Sequence, residues 1–493
     1  MGILATHAIR RETTPTSLSA PRNEAVPLFV DLDGTLVKSD LLLESILRLL
    51  KQAPWHLVSM VFWLLLGKAR MKTEIARRVD LDTESLPLQR DFVRYLKDVS
   101  AQGRPIYLAT ASDRTLAERL ASRVGVFAGT LASDGRRNLR GQEKLEAILS
   151  LTKGAPFDYA GNAWVDLRVW SKARRGIVVN PHFGVCTAAE KCCSIERVFD
   201  DRPAALRAWI GQLRLYQWSK NCLLGVPLLT AHAFELKSLV TILLAFLAFG
   251  FVASASYLLN DLADLPSDRR HPRKCIRPFA AGNLALGAGV SAIAILLAVG
   301  FAIAALQSSE FFMVLLTYLV LTLSYSFHLK TLVVLDVILL AGLYTIRIIA
   351  GAVAIHVQMS SWLLAFSMFT FLSLALVKRN SELVSLQKIS RDEVFGRDYR
   401  VSDYAILSAM GVASGYLAVV VLALFADSPQ GHSAYARPGL LWLLCPLMLY
   451  WISRLWIKTA RGEMFDDPLL YSIHDRSSWA VFVAMVAVTL VAI

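Results

Sequence analysis

The sequence predicts a multidomain protein: a soluble domain that opens on a short apolar strand, then an all-α polytopic membrane domain of about nine transmembrane helices. Two observations divide it in this way. Hydrophobic residues fill 55% of the 493 positions and the mean hydropathy is +0.48, values outside the range of a soluble globular chain. The long apolar runs all follow residue 215 or so, whereas the residues before it are of mixed polarity. The expected order is a tail at 1–27, a soluble domain at 28–180, a linker at 181–208 and the membrane domain at 209–493.

Met1 to Pro27 lacks the apolar core of a signal peptide. Leu28 to Val30 reads as a strand that ends in Asp31-Leu32-Asp33-Gly34-Thr35-Leu36. This motif resembles the signature of the haloacid dehalogenase (HAD) phosphatases. The resemblance implies an α/β Rossmann-like domain with a helical cap, Asp31 as the nucleophile that forms an aspartyl-phosphate, and Asp33 as acid/base. The spacing suits that chemistry, because residues two apart on a strand's end face one Mg²⁺ and one phosphoryl group. Carried along the chain, the resemblance makes Thr110, after a strand at Pro105 to Ala109, a donor to phosphate oxygen. It makes Lys144, on a helix opening after Gly141, the phosphate's counter-charge, and it makes Gly161-Asn162 to Asp166 the acidic fourth motif, with Asp31, Asp33 and Asp166 as metal ligands. The family has Asp where this chain has Asn162, so an amide replaces one metal carboxylate. Between Asp40 and Arg90 a helical cap insert is expected. It contains Trp55 to Leu66, whose length suits a buried or interfacial helix rather than a span.

In the membrane domain, apolar runs lie at about Leu239–Leu259, Leu284–Leu306, Phe311–Phe327, Leu332–Val357, Trp362–Val377, Tyr404–Ala426, Leu440–Trp456 and Trp479–Ile493. A shorter run, Cys222–Phe234, completes a ninth span if its helix starts near Tyr216. Basic residues concentrate in alternate loops, at Arg269–Arg277, Lys378–Arg400 and Arg454–Arg461. The positive-inside rule then makes the N-terminal domain cytoplasmic and, after nine spans, the C-terminus outside, in what is expected to be the inner (plasma) membrane. The net charge of +13 sits largely in these loops and the N-terminal third, so it calls for no nucleic-acid partner. The six cysteines show no zinc spacing, and a cytoplasmic location argues against disulfides.

The most informative stretch is Asn260 to Gly282, where an apolar run issues into a loop. Asp261, Asp264 and Asp268 recur at helical spacing and, with the Asn260 amide, suit Mg²⁺ bound together with substrate phosphates. Arg273, Lys274 and Arg277 follow, the positive charge a diphosphate leaving group needs. Pro266 is expected to kink the helix between Asp264 and Asp268. From about Leu206 onward the chain resembles the UbiA superfamily of intramembrane prenyltransferases, whose first motif, Asn-Asp-x-x-Asp-x-x-x-Asp, matches Asn260 to Asp268. Aromatic prenyltransferases of that group carry a second Asp-x-x-x-Asp loop. Here the corresponding segment reads Lys378-Arg379-Asn380-Ser381-Glu382-Leu383, followed by Gly396-Arg397.

That segment, the His271 to Gly282 tail and Gln217-Trp218-Ser219-Lys220-Asn221 are similar to the decaprenyl-phosphate phosphoribosyltransferase branch. The resemblance implies transfer of 5-phosphoribose from 5-phosphoribosyl 1-diphosphate, a soluble phosphorylated sugar, to a polyprenyl phosphate in the membrane. Lys220, Asn221, Arg273, Lys274, Arg277, Tyr325, Lys330, Lys378, Arg379 and Glu382 are the substrate-binding candidates, and Mg²⁺ is the expected cofactor. Lys220 reads equally as a grip on lipid phosphate or as an interfacial lysine. Asp336 and Arg347, eleven apart in one apolar run, share a helix face as a site or as an ion pair. The obvious role of the HAD-like domain is to remove the 5-phosphate from the lipid product. The alternative is prenyl transfer to an aromatic or other small acceptor beside an inactive or separate HAD domain. The sequence leaves the oligomeric state open.

Overall fold

The computed structural model describes residues 26–134, 137–387, 397–464 and 467–493, in two compact units that part between Arg202 and Pro203. The expected tail lies outside the described residues except for its last two, and so does Gly396.

The first unit alternates strands and helices. β1 (Leu28–Val30) is followed by α1 (Leu41–Gln52), α2 (His56–Leu65), α3 (Lys68–Arg78), α4 (Arg90–Ala101), β2 (Ile106–Asp113) and α5 (Arg114–Val124). Then come β3 (Gly129–Ser133), α6 (Gln142–Thr152), β4 (Asp158–Gly161), α7 (Leu167–Trp170), β5 (Arg175–Val179), α8 (Val185–Glu190) and β6 (Ser194–Phe199). The six strands form one parallel sheet in the order β3-β2-β1-β4-β5-β6, the order of a doubly wound Rossmann-like fold. β1 is wholly apolar because both its faces are covered: Leu28 and Val30 pack with Leu108 and Ile177, and Phe29 packs on the other side with Tyr159, Val178 and Trp170. The strand order reverses beside β1, so the crevice at the carboxyl ends of β1 and β4 is where this topology places a ligand.

Helices α1 to α3 make the expected cap, and α1 starts where the Asp40 carboxylate accepts the Leu43 amide at 3.0 Å. Two expectations change. Thr110 lies inside β2 rather than past its end, at an irregularity in pairing between Ala109 and Asp113. The supposed linker at 181–208 is folded, since it holds α8 and the edge strand β6. Ser194-Ile-Glu-Arg-Val-Phe199 is mostly exposed and interleaved with charge, so it lacks the apolar run that marks a central strand.

The second unit begins with α9 (Ala205–Leu213), a 3-10 stretch at Leu215–Gly225 and α10 (Val226–Thr230). It continues through α11 (Leu236–Ala263), α12 (Leu265–Arg270), α13 (Leu286–Gln307), α14 (Ser309–Phe327), α15 (Leu335–Ala354), α16 (Ser361–Gln387) and α17 (Tyr404–Ala426). It ends with α18 (Pro429–Ala434), α19 (Leu444–Ala460), α20 (Pro468–His474) and α21 (Arg476–Ala492). Among the described residues seven helices are long and apolar enough to cross a membrane, and α20 with α21, bent by 88°, makes an eighth if the pair is one span. The count of nine is therefore not met by long helices. The segment expected to complete it, Tyr216 to Phe234, is the 3-10 stretch running into α10, which packs against α11 and α15. With a rise of about 2.0 Å per 3-10 residue and about 1.5 Å per α residue, its sixteen residues still reach about 30 Å if straight.

α11 stops at Asp264 and α12 restarts at Leu265 with Pro266 in its first turn, which is the break expected from proline's missing N–H. The first two acids of the motif thus close a long helix, and Asp268 belongs to a short one. α15 is the most enclosed of the seven helices, with α14 and α16 packed along it.

Candidate functional site

At the carboxyl end of β1, Asp31 is buried and its Oδ1 accepts from Lys144 Nζ at 2.8 Å. Lys144 also donates to the Tyr159 hydroxyl at 2.9 Å and lies 3.6 Å from Asp166, while Tyr159 donates to Asp166 Oδ1 at 2.7 Å. The other Asp166 oxygen accepts the Asn162 and Ala163 amides at 3.1 and 3.0 Å. Burial pushes the Asp31 carboxyl up to about 7 against the opposing pull of Lys144. Burial disfavours the charged Lys144, but the Asp31 and Asp166 carboxylates outweigh it and the ammonium ends above the usual lysine range. Asp33 faces the cap: its oxygens accept the Leu41 amide at 2.9 Å and the Ser112 hydroxyl at 2.5 Å, and burial raises its carboxyl, the direction a general acid needs. Thr110, fully buried, accepts the Ser112 amide at 3.0 Å, which leaves its hydroxyl proton to donate. Gly34, at φ +76°, is required twice over, because a Cβ there would meet the Asn162 side-chain nitrogen at 2.1 Å.

In the second unit the motif acids are bound to cations. Asp261 is buried and accepts from Gln212 at 2.7 Å, Arg214 at 2.5 Å and Arg277 at 3.0 Å. The same Arg277 nitrogen reaches Asp268 at 2.6 Å, and Lys330 stands 3.5 Å from Asp264. Arg273 and Lys274 are exposed on the following turn, where His271 Nδ1 accepts both their amides. Asn260, in the last turn of α11, and Tyr325, in the last turn of α14, are partly buried.

A second polar centre forms around Asp467, which accepts from Lys220 at 2.7 Å, Lys378 at 3.3 Å and the Tyr344 hydroxyl at 3.1 Å. Lys220 also lies over the Tyr344 ring, 5.4 Å from its centroid. Its neighbour Asn221 is buried and accepts from Arg347 Nε at 3.1 Å, while Arg347 Nη2 donates to the Tyr318 hydroxyl at 2.9 Å. Asp336 and Arg347, which share a helix face, are therefore not each other's partners. Asp336 instead meets Arg379 at 2.8 Å and the Tyr399 hydroxyl at 2.5 Å. Arg379, with no exposure at all, also bonds Glu382, which takes Arg397 at 2.6 Å. Of the Lys378-Arg379-x-x-Glu382 group, Lys378 alone is aimed at the Asp467 centre, while Arg379 and Glu382 are tied into this ion-pair chain.

The UbiA prenyltransferase family profile matches residues 222–467, a range that contains Asp261, Asp264 and Asp268, the Asp336 chain and Asp467. The chain is 34% identical over 462 residues to the uncharacterized protein y4nM of Sinorhizobium fredii, covering 92% of this chain and 89% of that one. The nodulation protein NoeC of Azorhizobium caulinodans is 38% identical over 265 residues, 54% of this chain and 86% of NoeC. This chain belongs to the UbiA prenyltransferase family. A decaprenyl-phosphate phosphoribosyltransferase of Mycobacterium tuberculosis is 28% identical over 299 residues, 59% of this chain and 96% of that enzyme.

For this UbiA-family protein a divalent ion has hard oxygen donors in both units, but no three acidic, histidine or cysteine side chains stand together as a ready-made cage among the described residues. Mg²⁺ needs no such cage, being commonly held by one or two carboxylates and completed by substrate phosphates and water. Asp166 and Asp261 fit least, since Tyr159 and two backbone amides occupy the oxygens of the first and Gln212, Arg214 and Arg277 those of the second. Sequence reasoning passed over Tyr159, Ser112 and Asp467. Ser112 follows Thr110 by two positions and Tyr159 precedes Gly161 by two, a strand spacing that marks both. Asp467 stands just before Pro468, a helix-start signal, and accepts the Leu469 amide at 3.2 Å.

Proposed function

We propose that the membrane unit transfers the 5-phosphoribosyl group of 5-phosphoribosyl 1-diphosphate to a polyprenyl phosphate, and that the first unit then hydrolyses the 5-phosphate from the lipid product. The observation that carries this reading is the convergence of Lys220 and Lys378 on Asp467, two cations on one carboxylate. The surplus positive charge suits an acceptor that is itself a phosphate, and a neutral aromatic acceptor has no use for it. The similarity to the mycobacterial phosphoribosyltransferase supports the same choice.

Asp261, Asp264 and Asp268 with Asn260 would hold Mg²⁺, which supplies charge neutralisation of the diphosphate. Arg277, Arg273 and Lys274 flank those acids and would take the charge that grows on the departing group. Tyr325 and Lys330 would line the donor's side of the site. The C1–oxygen bond breaks with its electron pair passing to pyrophosphate, and an anionic oxygen of the lipid phosphate forms the new bond to C1. No proton needs to move, so positioning and electrostatics are the whole task of these residues. Lys220 and Lys378 would hold the other lipid-phosphate oxygens.

In the first unit, the Asp31 carboxylate attacks phosphorus, and the ester oxygen leaves with a proton from Asp33. Water then attacks the aspartyl-phosphate and returns a proton to Asp33. Thr110 donates to a phosphoryl oxygen and Lys144 balances its charge. Asp31 and Asp33 would hold Mg²⁺ with the substrate phosphate, Asp166 acting through Tyr159 and Lys144. The basic loops support a plasma-membrane protein with the first unit cytoplasmic, and the 3-10 stretch with α10 would serve as the first of nine crossings.

The test is mass spectrometry of lipids made by the purified full-length chain from 5-phosphoribosyl 1-diphosphate and a polyprenyl phosphate. A ribosyl-phosphoryl lipid is expected. Prenylation of a small aromatic acid from a prenyl diphosphate, with the ribosyl donor untouched, would establish the alternative.

A further inference from the structure

We propose that the outer face of α2 is a membrane-docking surface, which lays the cap of the first unit on a bilayer rich in anionic lipid. Trp55, Val58, Val61, Phe62 and Leu65 are 69, 76, 60, 61 and 81% exposed, and Leu57, Leu64 and Leu66 extend the same patch. A run of this size on a water-facing surface marks an interaction site. The helix is not loosely placed. Its inner face is fixed by Trp63, which is buried in the core of the unit and lies under the Arg78 guanidinium of α3 at 4.6 Å from the ring centroid.

The chemistry around the patch selects its occupant. No acid occurs from Ser45 to Thr73, while Lys51 precedes α2, Lys68 and Arg70 follow it, and all three are exposed. An apolar strip with only cations at its ends complements acyl chains beneath anionic headgroups. The ten residues of α2 extend about 15 Å, half of a hydrocarbon core, so the helix lies in the interface and does not cross it. The chain runs from this unit directly into helices long and apolar enough to cross a membrane, so the first unit is tethered to a bilayer. The cap also borders the crevice of the first unit, since the Leu41 amide bonds Asp33 and Lys72 bonds the Ala111 carbonyl. Docking through α2 therefore brings that crevice to the level of lipid headgroups, whichever phosphate ester it takes.

The experiment uses the full-length chain in vesicles, with a photoreactive phenylalanine analogue at Leu65 or, as control, at the exposed Lys97 of α4. Vesicles are pure phosphatidylcholine or contain about one-third phosphatidylglycerol. Labelled lipid should attach at position 65 and hardly at 97, with greater yield in the anionic vesicles. The combined changes Lys51→Gln, Lys68→Gln and Arg70→Gln should remove that anionic excess, since each basic residue near such a surface is worth about fivefold in binding. Adducts at 65 formed with protein alone, whether this chain or a second copy, overturn the proposal, as do equal lipid yields at the two positions.

Discussion

Arg277 and Arg379 show how differently two buried-site arginines act. Arg277 bridges Asp261 and Asp268 from a partly exposed turn, whereas Arg379 is sealed between Asp336 and Glu382. Asp264→Asn or Asp268→Asn should lower ribosyl transfer by orders of magnitude at matched protein level, because the diphosphate loses an anionic ligand of its neutralising ion. Near-normal transfer by both variants would remove the motif from catalysis. Lys378→Ala should act on affinity for a phosphorylated substrate, read as a raised KM with the fold intact. Arg379→Met should instead cost about 3–5 kcal/mol of stability by leaving the buried Asp336 without its counter-charge, with partial recovery on adding Asp336→Asn. An unchanged thermal midpoint with a raised KM would place Arg379 at the substrate. The sequence singled out Asp31, Asp33 and the Asp261 motif because each lies in a short pattern of fixed spacing, and Lys144 only through the HAD resemblance carried along the chain. Asp467 eluded it because its partners Lys220 and Lys378 lie 247 and 89 positions away.

Apolar runs announced the long helices of the second unit, because a span must be apolar along its length whatever it packs against. Edge strand β6 and the 3-10 stretch were not announced, since one is half solvated and the other takes its form from α11 and α15. The stretch offers its own test. Cys222 is exposed and lies in its middle. If the stretch and α10 cross the bilayer, Cys222 in membranes should resist a charged maleimide and accept an apolar one. Ready labelling by both would return the segment to the surface and change the side on which every later loop lies.

Two units in one polypeptide invite consecutive chemistry, and the match to the Sinorhizobium fredii protein over 92% of this chain shows that the pairing is not confined to it. Asp31→Asn should leave ribosyl transfer intact and make the lipid accumulate with its 5-phosphate, one phosphate heavier than the wild-type product, because an amide is a poor nucleophile. Identical products from wild type and variant would mean that the first unit acts on another ester or on none. A Rossmann-like fold was implied by the resemblance carried by one strand and its motif, but the strand order was not; the division at Arg202 and Pro203 falls inside the expected linker, whose first part is folded because an exposed edge strand has the composition of a linker.

The bridge made by Arg277 has a thermodynamic corollary. A divalent ion that binds Asp261 and Asp268 has to displace this guanidinium, and once displaced the guanidinium is free to meet a diphosphate. Ion and anion should then bind with positive cooperativity, each raising the affinity of the other by the same factor. Calorimetry of pyrophosphate binding across a Mg²⁺ series would read that factor, and in Arg277→Gln it should shrink toward the simple attraction of ion and anion in solution.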